Sequence, residues 1–260
     1  MQRLWIYDSN LKNYNKLCII FMKYSGEEKK IDLSPISIVR TILLFLIPIM
    51  AYAIGIFPPL LVIYFSIKFL ELSNPFQLLL FSFILIIDYL ILIFSMIFSS
   101  AFFINAFDLK YKEGDYRKTI RDKMAFRYTT YFALYYPVYK LLNIFVLPPL
   151  KSFYLRLIGA KIGKNVFLAG EEWLDPCLIE IGENTMIGGR AMILGHIGEE
   201  DLVLRKTKIG RNCLIGGETF IMPGVTIEDN VVLGAKSFVP KNAILKKGKI
   251  YVGIPAKELK

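Results

Sequence analysis

From Ile162 onward an aliphatic residue returns at every sixth position, and few folds tolerate that period. Three blocks carry it. The first is Ile162 and Leu168, the second Ile181, Ile187 and Ile193, and the third runs from Ile209 through Ile215, Ile221, Ile227 and Leu233 to Val239. Four places after most of these stands a small or β-branched residue, as at Thr185, Ala191, Cys213, Thr219, Val225 and Ser237. One place after, the residue is usually glycine: Gly163, Gly182, Gly188, Gly210, Gly216 and Gly234. Helical spacing does not generate a sixfold repeat with glycines in register, and an alternating antiparallel strand would not need them. One short flat strand plus a sharp corner does. Three such units close a triangular coil of about 18 residues, and stacked coils bury one another's apolar faces.

The rest of the chain has a different solvent in mind. Hydrophobic residues make up 55% of the 260 residues, with 20 Phe and 15 Tyr, and most of that excess precedes Ala160. Ile36 to Leu72 is almost unbroken apolar sequence, interrupted by Pro48 and by Pro58-Pro59, and Phe76 to Phe107 is a second apolar run. A bilayer span takes roughly 20 residues, so each run is long enough to cross. The sequence therefore predicts four parts: a short cytoplasmic segment (1–35), a transmembrane helical hairpin (36–107), a basic linker with an aromatic helix at the membrane interface (108–158), and the β-helix (159–260). A break at Pro58-Pro59 into a span plus a re-entrant piece, or a third span over Tyr128 to Leu157, are the alternatives. Asp88, inside the second run, is expected to meet a polar partner such as Lys68, or to sit in a crevice of the helix bundle.

Net charge is +10, but the cations flank the apolar runs, from Arg3 to Arg40 before the first and from Lys110 to Arg127 after the second. Juxtamembrane Lys and Arg favour the cytoplasmic side and attract anionic lipid. No nucleic-acid motif accompanies them, so no nucleic-acid partner is expected. The three cysteines form neither a metal spacing nor an even disulfide set, which fits a reducing compartment, and no metal site is predicted.

The stretch IGRNCLIGGETFIMPGVTIEDNVVLGAKSFVPKN (209–242) and the late GIPAKEL resemble the left-handed β-helix, or hexapeptide-repeat, acyltransferases. With EGDYRKT, YLRLIGAKIGKN and the GHIGEED loop, placed after apolar helices, the chain looks most like the membrane-bound acyltransferase modules at the C-terminus of poly-lysine-type peptide synthetases. The resemblance implies a left-handed parallel β-helix, acetyl-CoA or another acyl-CoA as co-substrate, and a homotrimer with sites between subunits. The two apolar runs and their basic flanks predict a multi-pass protein of the cell membrane with its β-helix on the cytoplasmic side.

The repeat breaks between Ile193 and Ile209, and the insertion holds His196, the only histidine. A lone histidine is more often structural than catalytic, but a polar excursion from a rigid scaffold is where function concentrates. The resemblance makes His196 the general base that deprotonates the acceptor. Glu199 is expected to bond the other ring nitrogen. Gly217, Ala235, Pro240 and Lys241 match the positions that line the thioester groove in similar enzymes, with the Gly217 N–H as an oxyanion donor. The acceptor is left open among a sugar, a lipid-linked intermediate and a peptide amine. A non-catalytic trimeric scaffold is the competing reading. A carbonic anhydrase-like β-helix would need three histidines.

Overall fold

The computed structural model describes residues 34–144, 148–169 and 172–259. The expected cytoplasmic segment lies almost wholly outside these. Helices α1 (Pro35–Phe69) and α2 (Pro75–Ala106) form the hairpin. Ser34 and Asn74 cap them, each with proline in the first turn, where the missing N–H is no loss. At 1.5 Å per residue the two are about 52 and 48 Å long, ample for a bilayer core of about 30 Å.

The three prolines do not break α1. Pro59 cannot donate to the carbonyl of Gly55, one turn earlier. That carbonyl instead accepts from Ser95 Oγ of α2 at 2.6 Å, and Ser99 Oγ donates to Ala51 O at 2.6 Å. The side chain missing at Gly55 makes room for Met96. Small residues thus bring the two backbones close, and a neighbour's hydroxyl satisfies the carbonyl the proline leaves. Asp88 is buried on α2, and Lys68 lies over the Phe69 ring instead of pairing with it.

Helix α3 (Lys123–Leu142) is amphipathic in an unexpected sense. Tyr131, Tyr135 and Tyr139 are fully buried, so its aromatic face packs on protein rather than lying among headgroups. Tyr52 of α1 donates to Ala133 O, Tyr89 of α2 to Leu141 O at 2.7 Å, and Tyr131 to Ile158 O at 3.0 Å. With α4 (Pro148–Leu157), α3 forms a collar between hairpin and β-helix, and Tyr154 of α4 shares a hydrogen bond with Ser100 of α2 at 2.6 Å.

Three parallel sheets form the faces of the β-helix. The first stacks β2 (Lys161–Ile162), β5 (Ile179–Ile181), β10 (Thr207–Ile209), β13 (Thr226–Ile227) and β16 (Ile244–Leu245). The second stacks β3 (Phe167–Leu168), β6 (Met186–Ile187), β11 (Leu214–Ile215), β14 (Val232–Leu233) and β17 (Ile250–Val252), with β18 (Lys257–Glu258) antiparallel at its edge. The third stacks β4 (Glu172–Leu174), β7 (Met192–Leu194), β12 (Phe220–Ile221) and β15 (Phe238–Val239). Sixfold aliphatics pair with one another up each face, Ile209 with Ile227 and Ile215 with Leu233 among them. All from Leu168 to Val239 are buried.

The glycines after these aliphatics are needed for space, not for unusual dihedrals. A Cβ on Gly182 would lie 2.6 Å from the backbone N of Arg211 in the next coil. Left-handed conformations fall elsewhere, at the corners: Asn212, Glu218, Gly224, Asn230, Lys236, Asn242 and Gly248 recur every six residues with φ of 53° to 80°. Gly182→Ala is therefore expected to lower stability by about 1–3 kcal/mol through overpacking against backbone that cannot yield. Gly248→Asn, at a corner with open space around it, is expected to be tolerated. Thermal unfolding of the two purified variants checks the contrast.

Candidate active site

The insertion that breaks the repeat is a β-hairpin, β8 (His196–Gly198) and β9 (Leu202–Leu204), rising from the corner between β7 and β10. Arg205 N donates to Gly195 O at 2.9 Å and Thr207 Oγ1 to Leu194 O at 2.7 Å, which pins its base. A third strand comes from the linker: β1 (Gly114–Tyr116) pairs antiparallel with β9, and Arg205 bonds Asp115 at 2.7 Å. The EGDYRKT segment thus belongs to the imidazole-bearing loop.

His196 Nδ1 lies 2.6 Å from Asp175 Oδ2. Asp175 is fully buried and sits in the left-handed region at φ 77°. Its carboxylate also accepts from Gly195 N–H at 3.1 Å and from the Tyr111 hydroxyl at 2.5 Å. Gly195 must lack a side chain here, since a Cβ would fall 2.7 Å from that of Asp175. A buried carboxylate acts as an acceptor, so Nδ1 carries hydrogen and Nε2 is left with its lone pair. The ring stands edge-on to Tyr128, with centroids 5.1 Å apart, and its side chain keeps 23% exposure. Burial, with the Asp175 charge adding to it, holds the Tyr111 and Tyr128 hydroxyls well above the ordinary phenol range, so both remain protonated donors.

Glu199 does not take the place expected of it. Its carboxylate pairs with Lys241 at 2.6 Å, and its backbone carbonyl accepts from Lys118. The ring nitrogen anticipated for Glu199 meets Asp175 instead, because a hairpin directs residue 199 past the turn while the stacked coil below presents residue 175. The other predicted groove residues divide. Lys241 and the adjoining Pro240 lie at the corner below the hairpin. Gly217 and Ala235 lie at the opposite edge of the third face, one strand length away, on the order of 15–20 Å. There Lys236 N donates to Gly217 O, stacking the two corners. Within one chain, then, only Lys241 and Pro240 accompany His196.

Asp175, Tyr111 and Tyr128 escaped the sequence reading. Asp175 stands 20 residues before Gly195, and β4 pairs with β7 in that same offset, Leu174 against Leu194. The regular coils advance by 18, Ile209 to Ile227, so two extra residues hide the pairing.

Among known proteins, the bacterial transferase hexapeptide (six repeats) matches residues 206–241. A stretch of 108 residues is 27% identical to the Delta-poly-L-ornithine synthetase of Acinetobacter baumannii (strain AB307-0294) and covers 40% of this chain. The chain spans only 8% of that protein's length. Among solved structures, a maltose O-acetyltransferase from Clostridium difficile 630 is 21% identical, covering 57% of this chain and 92% of its own, with a TM-score of 0.42. A galactoside acetyltransferase in complex with coenzyme A is 20% identical, covering 49% and 78%, with a TM-score of 0.39.

Two residues after Asp175, the thiol of Cys177 faces the Tyr111 carbonyl, and burial pushes its pKa up to about 12. A raised value means less thiolate at any given pH. Cys177 is expected to resist alkylation by iodoacetamide at pH 8 in the folded protein and to react readily once unfolded, as peptide mass spectrometry would show. By its repeats and its coiled parallel sheets, the C-terminal part of the chain is a hexapeptide-repeat β-helix, similar over residues 206–241 to the bacterial transferase hexapeptide.

Proposed function

We propose that this protein is a membrane-anchored acyltransferase that moves an acyl group, acetyl in the simplest case, from acyl-CoA to a hydroxyl or amine of an acceptor held near the bilayer. The observation that carries the reading is His196, on a hairpin leaving a hexapeptide-repeat β-helix, paired with the buried Asp175 of the coil below. Asp175 orients the ring and stabilises the imidazolium; Nε2 removes the acceptor proton as the acceptor attacks the thioester carbonyl. The acyl–oxygen or acyl–nitrogen bond forms, the carbon–sulfur bond breaks, and the imidazolium returns its proton to the departing thiolate.

Lys241, braced by Glu199, is suited to the phosphates of the co-substrate. Gly217 and Ala235 enter if the chain assembles as a left-handed trimer, where one subunit's Gly217 corner faces the next subunit's hairpin. Such an arrangement accounts for their distance from His196 within a single chain. The resemblance to a poly-ornithine synthetase keeps an amine acceptor within the reading.

The anchor rests on exposure. α1 and α2 are both long and apolar enough to span a membrane, and the helix core of a water-soluble protein would be mostly buried. Here Phe45, Phe57, Phe83 and Phe102 all point outward. A surface of that kind demands an apolar solvent. The N-terminus of α1 and the C-terminus of α2 meet the basic linker at one end, where Arg40 donates to Ile120 O and Arg121 Nε to Ser34 Oγ. That end belongs on the cytoplasmic side.

His196→Ala is expected to slow thiol release from acetyl-CoA by about 10²–10⁴-fold in membranes supplied with acceptor. Asp175→Asn, which disturbs the tautomer, should slow it comparably while Tyr111→Phe costs less. Full turnover in the His196 variant removes the base assignment. No thiol release by the wild-type protein with any hydroxyl or amine acceptor leaves the scaffold reading.

A further inference from the structure

A recess of about 470 Å³ opens where the start of α1, the exit of α2 and the first turn of α3 converge. Val39, Leu43, Phe107, Leu109 and Phe126 make its walls, and Arg40, Lys123 and Arg127 its polar rim. No Asp or Glu lines it. Asp108 approaches from the side and pairs with Arg127 at 2.6 Å, while Asp122 is occupied capping α3 through the N–H groups of Met124 and Ala125. The Arg40 guanidinium is held by the carbonyls of Ile120 and Arg121 and lies 5.8 Å over the Phe126 ring. Its charge is fixed in place with backbone oxygens, not a carboxylate, as its partners. Ile36 and Val39 continue the apolar wall onto the outward face of α1. An apolar chain and an anion suit one recess.

Two of the segments that line this recess lead directly into the candidate active site. Leu109 stands two residues before Tyr111, whose hydroxyl bonds Asp175. Arg127 precedes Tyr128, whose ring abuts His196. Two of the three polypeptide segments that form the groove therefore reach the residues around the imidazole within two positions.

We propose that this groove seats an anionic lipid whose phosphate carries a polyol headgroup, and that this lipid is the acyl acceptor. The proposal rests on the membrane acyltransferase reading given above. The lipid chain lies against the apolar walls and α1, and the phosphate meets Arg40, Lys123 and Arg127. The headgroup beyond the phosphate extends toward Nε2, and a sugar or other polyol there carries the reacting hydroxyls. One such hydroxyl gives its proton to Nε2 and forms the ester, the thioester carbon–sulfur bond breaks, and free thiol leaves with the proton.

Native mass spectrometry of the purified full-length protein in detergent tests the binding. The probes are phosphatidylinositol, phosphatidylcholine with the same chains, and inositol phosphate without chains. Retention of phosphatidylinositol at least about tenfold above phosphatidylcholine is expected, with inositol phosphate bound far more weakly. Lys123→Gln, on an exposed side chain, should weaken retention several-fold, the Arg40→Gln/Arg127→Gln pair should abolish the preference, and Lys161→Gln on the β-helix should leave it intact. Equal retention of both lipids, equal binding of chain-free inositol phosphate, or indifference to the rim substitutions overturns the groove. With acetyl-CoA added, acetyl should appear on the polyol headgroup; a bound lipid never acetylated overturns its role as acceptor. Lipid retention needs no thioester, so a protein that holds lipid but releases no thiol with any acceptor sinks the catalytic reading and leaves the groove standing. Thiol release to another acceptor with the lipid untouched sinks the acceptor role alone.

Discussion

A carboxylate taken out of water must be surrounded by donors, and Asp175 draws its donors from three separate parts of the chain. The Tyr111 hydroxyl belongs to the linker, Gly195 N–H to a β-helix coil, and His196 Nδ1 to the hairpin. The desolvation of an unpaired carboxylate costs several kcal/mol, so each donor is held in place by the cost of withdrawing it. Folding of linker, coil and hairpin is thereby made mutually dependent. The imidazole inherits its orientation from that requirement, and a ring with one nitrogen committed to a buried acid presents the other to whatever approaches.

The β-helix supplies rigidity of another kind. Its coils approach so closely that a methyl group at Gly182 has nowhere to go, while the corner residues absorb the change of direction in left-handed conformations. Asparagine fills five such corners, at 165, 184, 212, 230 and 242, because its side chain tolerates that region better than most. Close stacking and repeated corners leave little play beneath the hairpin, so a loop that would otherwise be mobile stands on a stiff base.

Much of this was legible in the sequence because period six has a single simple structural cause. The aliphatics from Leu168 to Val239 all point inward, and the break between Ile193 and Ile209 did mark a departure from the prism. What sequence could not reveal is contact across irregular offsets. Glu199 was the nearer acid along the chain, yet Asp175 is the nearer acid in space, since two added residues shift its coil against the regular advance. The contacts of the aromatic helix are hidden for a related reason. Tyrosines suit both a headgroup layer and a buried collar, and only the partners Ile158, Tyr135 and Ser100 decide between them. Pro58-Pro59 likewise reads as a break until Ser95 is seen beside the Gly55 carbonyl.

The strand that the linker lends to the hairpin bears on how the molecule works. Gly114 to Tyr116 is joined to β9 through a ladder and, a few residues on, becomes the first turn of α3. The imidazole-bearing hairpin is thus riveted to the collar on which the apolar helices sit, not hung from a leash. On the proposed reading its reach is a fixed altitude above the bilayer, and the surface itself acts as a ruler. Acceptors would be sorted by how high they carry their reactive group before any chemistry begins.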